Sequence, residues 1–187
     1  MKTLRLLLGD QLNLEHSWFD EINPDVMYVM AEMRQETNYV HHHIQKVVGF
    51  FLAMRNFSEE LAKRGHQVIY HKISDANNPQ DLENLILDLV EKHTIEQFEY
   101  QFPDEYRLDE QLKAICKTLA IATTAVDSEH FYTTRNELAD FFKGKKQLLM
   151  ESFYRMMRKK HDVLMVADQP LDGKWNFDHN NLQPVHR

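Results

Sequence analysis

The chain has 187 residues, of which 43% are hydrophobic and 27% are charged, and its formal net charge is −7. Its single cysteine, Cys116, excludes a disulfide framework and, within this chain, a cluster held by four cysteines. No apolar run approaches the ~20 residues of a membrane helix, and no signal-peptide pattern opens the chain. We therefore expect a cytoplasmic protein that makes no membrane contact, and the negative charge argues against a nucleic-acid coat.

Strand-like and helix-like patterns alternate along the chain, which indicates βαβ units and a parallel sheet. Turn signals such as Asn23-Pro24 and Gly65 separate the apolar runs. The predicted strands lie at about residues 4–8, 25–30, 67–73, 97–102 and 121–126. The predicted fold is α/β, with a five-stranded parallel Rossmann-like sheet and helices on both faces.

Apolar residues at 3.6-residue spacing predict a long helix over residues 42–63, and a last helix over 148–160. Asn78-Pro79 has the pattern of an N-cap followed by proline at the first helical position. Thr134 with Glu137 fits a capping box. Periodicity ends past Val166, so we expect a Rossmann-like domain over residues 1–165 and an irregular arm over 166–187.

Polar groups directly follow the first predicted strand, at Asp10, Gln11 and Asn13. The carboxyl ends of parallel strands are where open α/β sheets bind ligands. A carboxylate and an amide there could bind the polar edge of a heterocycle or a polyol. The alternative is a strand-to-helix turn in which Asp10 or Asn13 only caps the next helix.

A second polar stretch, residues 32–39, follows the second strand and should lie at the same edge. Glu36 and Tyr39 are its candidate ligand contacts, and the alternative is a tight loop that satisfies its own backbone. A third stretch, residues 99–107, follows the fourth strand and again brings polar groups to this edge, where Arg107 could pair with Glu105 or Asp104 in a structural role.

Several familiar chemistries lack their motifs. The chain contains neither a Gly-x-x-x-x-Gly-Lys phosphate loop nor Gly-x-Gly-x-x-Gly, and it has no Gly-x-Ser-x-Gly elbow. Three successive histidines, 41–43, would point about 100° apart on a helix and so cannot converge on one metal ion. Residues 127–130, Asp-Ser-Glu-His, are adjacent in sequence, which is not the geometry of a catalytic triad.

Residues 143–160 carry a formal charge of +6, which leaves −13 on the rest of the chain. This segment is either a solvated helix face or a patch that faces phosphate. Trp175 and Phe177 follow in the predicted arm. These rings either dock back on the same domain or contact a second domain or partner.

Five motifs occur in a fixed order along the chain: Leu8–Leu12 (LGDQL), Met33–His43 (MRQETNYVHHH), Phe102–Arg107 (FPDEYR), Met150–Lys160 (MESFYRMMRKK) and Gly173–Asp178 (GKWNFD). Taken together, they resemble the N-terminal portion of the deoxyribodipyrimidine photolyase-related proteins, the bacterial iron–sulfur photolyases and cryptochromes that include (6-4) photolyases. The resemblance extends from about residue 4 to residue 180.

The resemblance implies an antenna domain that binds 6,7-dimethyl-8-ribityllumazine or a similar chromophore. In that family a larger C-terminal helical domain holds FAD and an iron–sulfur cluster, and damaged DNA is engaged by the full-length protein. This chain ends where the linker to such a domain should begin, so we expect either a piece of a longer protein or a small relative of the antenna domain. In either case the chain alone would bind a chromophore without catalysing repair.

Carried over by the resemblance, the chromophore contacts would be Gly9, Asp10, Gln11, Glu36, Tyr39, His42, His43 and Lys46. The candidate contacts to DNA or to the second domain are Arg155, Arg158, Lys159, Lys160, Trp175 and Phe177. Two other hypotheses stay open at this point: a nucleotide-binding or nucleotide-hydrolysing enzyme on the same fold, and an interaction module whose arm docks a partner.

Overall fold

The computed structural model describes residues 1–177. Five strands form one all-parallel sheet in the order β3-β2-β1-β4-β5. Their bounds are Thr3–Leu6 (β1), Val26–Ala31 (β2), Gln67–His71 (β3), Gln97–Gln101 (β4) and Ala122–Val126 (β5). The number, the parallel arrangement and the approximate positions of the predicted strands are therefore confirmed.

Helices cover both faces of this sheet. A long helix, α2 (Ile44–Lys63), packs on one face with Trp18 and Phe19 from the β1–β2 connection. On the other face, α3 (Leu82–His93) and α4 (Tyr106–Thr118) enclose a second apolar core. The central strands contribute side chains to both cores, because successive residues of a strand point to opposite faces of the sheet. The predicted two-sided α/β architecture is confirmed.

The strand order brings the candidate ligand residues to one edge. The chain steps outward from β1 to β3 and then crosses back to β4 on the other side of β1. In open α/β sheets, the carboxyl ends of the strands beside such a reversal form a crevice. The segment after β1 therefore lies between the segments that follow β2 and β4. A short helix, α1 (Arg34–Asn38), follows β2 there.

The predicted end of α2 is confirmed, whereas the predicted start of α3 is wrong. Gly65 has a φ of 100° directly after the C-cap of α2, as predicted for a glycine at that position. The predicted start of α3 at Asn78 is wrong, because Asp81 caps it instead and accepts a hydrogen bond from the Asn84 amide at 2.8 Å. The Asn78 side chain is used elsewhere, donating to the carbonyl of Glu32 at 2.9 Å.

The chain divides into two compact units, Met1–His130 and Phe131–Arg187. Within the described part of the second unit lie α5 (Glu137–Phe142), α6 (Met150–Lys160) and a two-stranded antiparallel hairpin. The hairpin strands are Met165–Val166 (β6) and Gln169–Pro170 (β7). This hairpin occupies the start of the predicted irregular arm, and the end of that arm, residues 178–187, lies outside the described residues. Among residues 1–177, no helix is both long enough and apolar enough to span a bilayer.

Candidate functional site: a cavity at the carboxyl edge of the sheet

A cavity of about 210 Å³ opens where β1 and β2 end, between α2 and the start of α4. Its apolar wall comes from the end of β1, from Ala31 at the end of β2 and Met33 just beyond it, and from Leu82 and Leu108. Helix α2 adds a stripe at helical spacing, which places several side chains on the same face. The stripe consists of Val47, Phe50, Phe51 and Met54.

Gly9 lets α2 pack closely against the turn after β1. A Cβ atom at Gly9 would lie 2.4 Å from the Phe50 ring and 2.9 Å from the Met54 sulfur. Both of those side chains line the cavity. The glycine therefore sets the depth of the cavity by setting how closely the aromatic wall approaches the strand end.

A network of charges organises the polar wall. The Arg107 guanidinium donates to both carboxylate oxygens of Glu36 at 3.0 and 3.1 Å, and to those of Glu105 at 2.8 and 3.1 Å. It also lies over the Tyr39 ring, 5.0 Å from its centroid. Burial acts to lower the pKa of Arg107, but its bonds to Glu105 and Glu36 outweigh burial and raise that pKa. The guanidinium thus fixes two acids and one ring of the cavity wall.

Asp10 adds a third carboxylate to the cavity. Although the residue as a whole is exposed, the protein around its carboxyl displaces water, and this desolvation raises the pKa of Asp10. The negative charges of Asp104 and Glu105 raise that pKa further, while the backbone amide of Asp10 and the positive field of His130 act against the rise. A carboxyl held in this way favours hydrogen-bond donors such as ring N–H or hydroxyl groups.

A histidine and a lysine complete the polar wall. The Lys46 ammonium lies 3.2 Å from Nδ1 of His42, one turn earlier in the chain. Because an ammonium only donates, Nδ1 is the acceptor in this contact. The Tyr39 ring packs edge-on against the imidazole at 5.3 Å between centroids. The cavity thus has one cationic corner beside an aromatic ring.

Comparison with known proteins identifies the family. The family model for deoxyribodipyrimidine photo-lyase-related proteins matches residues 5–187. The chain belongs to this family. It is similar to a (6-4) photolyase of Agrobacterium fabrum, with 34% identity over 186 residues. It is also similar to uncharacterized protein R852 of Acanthamoeba polyphaga mimivirus, with 23% identity over 194 residues.

The two relatives differ in how much of them this photolyase-related chain covers. Each alignment includes 99% of this chain. The chain spans 37% of the length of the (6-4) photolyase and 96% of the mimivirus protein. The family resemblance inferred from the five motifs is confirmed, and it extends over nearly the whole chain.

The structure brings together most of the chromophore contacts predicted for the photolyase-related chain. The cavity lining includes Gly9, Asp10, Glu36, Tyr39, His42 and Lys46. Gln11 and His43 are not among the lining residues. His43 is exposed and caps α2, with its Nδ1 accepting from the Gln45 amide at 3.2 Å.

Gln11 has a structural role in place of the predicted ligand contact. It is 2% exposed, its oxygen accepts from the Leu8 amide at 3.0 Å, and its nitrogen donates to the Gln101 carbonyl at 3.1 Å. These bonds join the turn after β1 to the end of β4. The amide is therefore turned into the sheet, while its neighbour Asp10 faces the cavity.

Sequence reasoning missed the role of Glu32 at the end of β2. Its side chain is fully buried, and its carboxylate accepts from Arg55 at 2.6 and 3.0 Å, from the Tyr70 hydroxyl at 2.8 Å and from the Ile73 amide at 2.9 Å. Burial acts to raise the pKa of Glu32, but these hydrogen bonds outweigh it and lower that pKa. A carboxylate placed directly after a buried strand was the available signal, but its partners lie 23 to 41 residues away in sequence.

In the second unit, Arg158 does not present its charge to a partner. It is 3% exposed, and its guanidinium donates to the backbone carbonyls of Val163, Leu164, Lys174 and Trp175. Its assignment as a contact to DNA or a second domain is corrected, because all these bonds are to its own chain. Arg158 holds the segment after α6 in place.

Two of the other predicted contacts in this unit, Arg155 and Lys159, lie at the indole ring of a third, Trp175. Trp175 lies beside α6, with the Arg155 guanidinium 5.4 Å and the Lys159 ammonium 5.6 Å from its ring. Lys160 pairs with Glu137 at 2.5 Å, and Phe177 is 45% exposed. The indole thus docks on its own unit, which is the first of the two alternatives for the arm.

Proposed function

We propose that the cavity binds a light-absorbing heterocycle that carries a polyol chain, such as 6,7-dimethyl-8-ribityllumazine. The chain would then act as the light-harvesting part of a photolyase-related protein. The observation that carries this proposal is the convergence of Gly9-Asp10, Glu36, Tyr39, His42 and Lys46 on one cavity with apolar walls. Few polar groups on a mostly apolar cavity are typical of small-molecule sites.

The polarity of the cavity suits such a ligand, and its size suits the ring system alone. Its volume of about 210 Å³ is below the roughly 300 Å³ at which pockets for drug-sized ligands begin, so the cavity would enclose only part of the molecule. A flat ring system would fit between Leu8 and the aromatic stripe of α2, which leaves the polyol chain at the mouth. Asp10 and Glu36 would accept hydrogen bonds from ring N–H or hydroxyl groups there.

The role in the whole protein is part of the same proposal. Excitation absorbed by the heterocycle would pass to reduced FAD in a helical domain, and DNA repair would be carried out by that domain. On this proposal the arm over residues 166–187 leads toward that domain. The support is the family and the 37% share of the (6-4) photolyase that this chain spans.

The test is a titration of the chain with 6,7-dimethyl-8-ribityllumazine, followed by fluorescence and absorption. We expect saturable binding with a Kd in the micromolar range. Phe50→Ala removes an aromatic wall of the cavity and should weaken binding about tenfold. Leu52→Ala on the same helix truncates a side chain that is 50% exposed and does not line the cavity, so its Kd should not change.

Two results would contradict the proposal. One is the absence of saturable binding by a folded sample at tens of micromolar, and the other is equal weakening by Phe50→Ala and Leu52→Ala. A thermal shift by ATP, with none by lumazine or riboflavin, would instead favour a nucleotide-binding enzyme on this fold.

A further inference from the structure

The charged residues of the cavity wall are mostly acidic. Asp10, Glu36 and Glu105 contribute three carboxylates, whereas Lys46 contributes the one ammonium among the lining residues. Arg107 does not line the cavity, and its hydrogen bonds go to Glu36 and Glu105 from behind the wall. Even with Arg107 included, three negative charges face two positive ones.

The positions that usually hold phosphate in this fold are already filled. In open α/β sheets, phosphate binds at a glycine-rich turn after the first strand and at a helix N-terminus. Here the Gly9 turn is packed against the Phe50 ring, with 2.4 Å between that ring and a Cβ built on Gly9. The Phe50 ring therefore blocks the approach of a phosphate group to the turn after β1.

The helix N-termini near the cavity are unfavourable for phosphate as well. Helix α4 has Glu105 as its N-cap residue, with a carboxylate bonded to Arg107 and not to the helix amides, and Asp109 in its first turn. At the N-terminus of α2, Nδ1 of His43 already accepts a hydrogen bond from the Gln45 backbone amide. An anionic group at either end would have to displace a side chain or approach a carboxylate, and like charges at short range repel.

We propose that the cavity selects a ribityl heterocycle whose chain ends in a free hydroxyl and rejects the 5′-phosphate ester of the same compound. This inference rests on the proposed function and specifies its ligand class. Hydroxyl groups can donate to Asp10, Glu36 and Glu105, whereas a phosphate monoester brings a charge of about −1.5 to −2 to the same carboxylates. Dephosphorylated lumazines and riboflavin belong to the accepted class, and FMN and FAD belong to the rejected one.

The experiment compares 6,7-dimethyl-8-ribityllumazine with its 5′-phosphate ester, and riboflavin with FMN, by fluorescence titration. Each pair differs only in the phosphate group. At about 20 mM salt we expect the ester to bind at least about tenfold more weakly than the alcohol, and at about 500 mM salt the ratio should fall because the charges are screened.

Charge-neutral variants locate the effect. Asp10→Asn and, separately, Glu105→Gln should reduce the alcohol-to-ester ratio by roughly threefold at low salt. Asp88→Asn makes the same change in net charge on the exposed side of α3, away from the cavity, and should leave the ratio unchanged. Far-UV circular dichroism would verify that each variant is folded.

The outcomes separate this inference from the function on which it rests. If the esters bind as tightly as the alcohols, or if Asp88→Asn changes the ratio as much as Asp10→Asn, the selectivity is wrong and the chromophore site stands. If no member of either pair binds, the proposed function fails, and the selectivity fails with it.

Discussion

Glu32 and Glu36 are only four residues apart at the end of β2, yet their surroundings differ. The Glu32 side chain is fully buried, and each of its carboxylate oxygens accepts two hydrogen bonds. The Glu36 side chain is 27% exposed and pairs with Arg107 on the cavity wall. One acid joins strands and helix into a rigid edge, and the other faces the space that this edge encloses.

The difference shows how the edge divides structural and binding roles. A buried carboxylate costs free energy unless hydrogen bonds satisfy it, and Glu32 has them. Within residues 1–177, no lysine or arginine forms a salt bridge with Asp10. Desolvation raises the pKa of its carboxyl group. The hydrogen bonds of Glu32 stabilise the fold. The Asp10 carboxyl group is available to accept hydrogen bonds from a ligand.

The largest expected effect is that of Glu32→Gln. The change leaves Arg55 without its anionic partner and disturbs two further bonds, from Tyr70 and Ile73, so we expect the free energy of unfolding to fall by about 3 kcal/mol. Urea denaturation at pH 7 measures it. Glu36→Gln is the matched control and should cost less than about 1 kcal/mol, because its ion pair is partly exposed. Equal losses would remove the distinction between the two acids.

Acidification should remove the contribution of Glu32 to the free energy of unfolding. Because its folded pKa is lowered, its contribution to stability is present above its ordinary pKa of 4.5 and is lost as the pH falls through the folded value. The difference in unfolding free energy between the native chain and Glu32→Gln should therefore shrink below pH 4.5. Denaturation at several pH values between about 3 and 7 measures this difference. A difference that is constant over this range would contradict the prediction.

Gly9→Ala should affect the cavity more than it affects stability. The new methyl group must displace the Phe50 ring, which is 37% exposed and can move, so we expect a loss of about 1 kcal/mol and several-fold weaker lumazine binding. Gly49→Ala is the matched control, since a Cβ there meets no atom within 4 Å. In a helix this change should stabilise by up to about 1 kcal/mol and leave the Kd unchanged. Unaltered binding by Gly9→Ala would show that the Phe50 wall does not contact the ligand.

The smallest expected effect has the opposite sign. The raised pKa of Asp10 means that its carboxylate opposes folding once ionised; this cost is absent below its ordinary pKa of 3.8 and appears as the pH rises through the folded value. Asp10→Asn should therefore raise the melting temperature slightly at pH 7 and leave it unchanged near pH 3. A melting temperature that falls at pH 7 would place Asp10 with Glu32 among the structural acids.

Much of the fold could be predicted because its signals are local. Apolar runs with flanking turn residues located all five strands, and helical periodicity located α2 to within two residues at its start. The edge at which Asp10, Glu36 and Tyr39 meet also followed, because parallel strands end on the same side. The start of α3 was missed, since an N-cap pattern at Asn78 cannot reveal that its amide is bound to Glu32.

The sequence by itself determined the alternation of strands and helices, the family and the edge that carries the cavity. Only the tertiary structure decided which polar side chains face the cavity: Asp10 does, whereas the adjacent Gln11 is bonded to β4. It also assigned Glu32 and Arg158 to the fold. The physical reason is that hydrophobic periodicity reports burial along one element, while the partner of a polar group lies on another element far away in the chain.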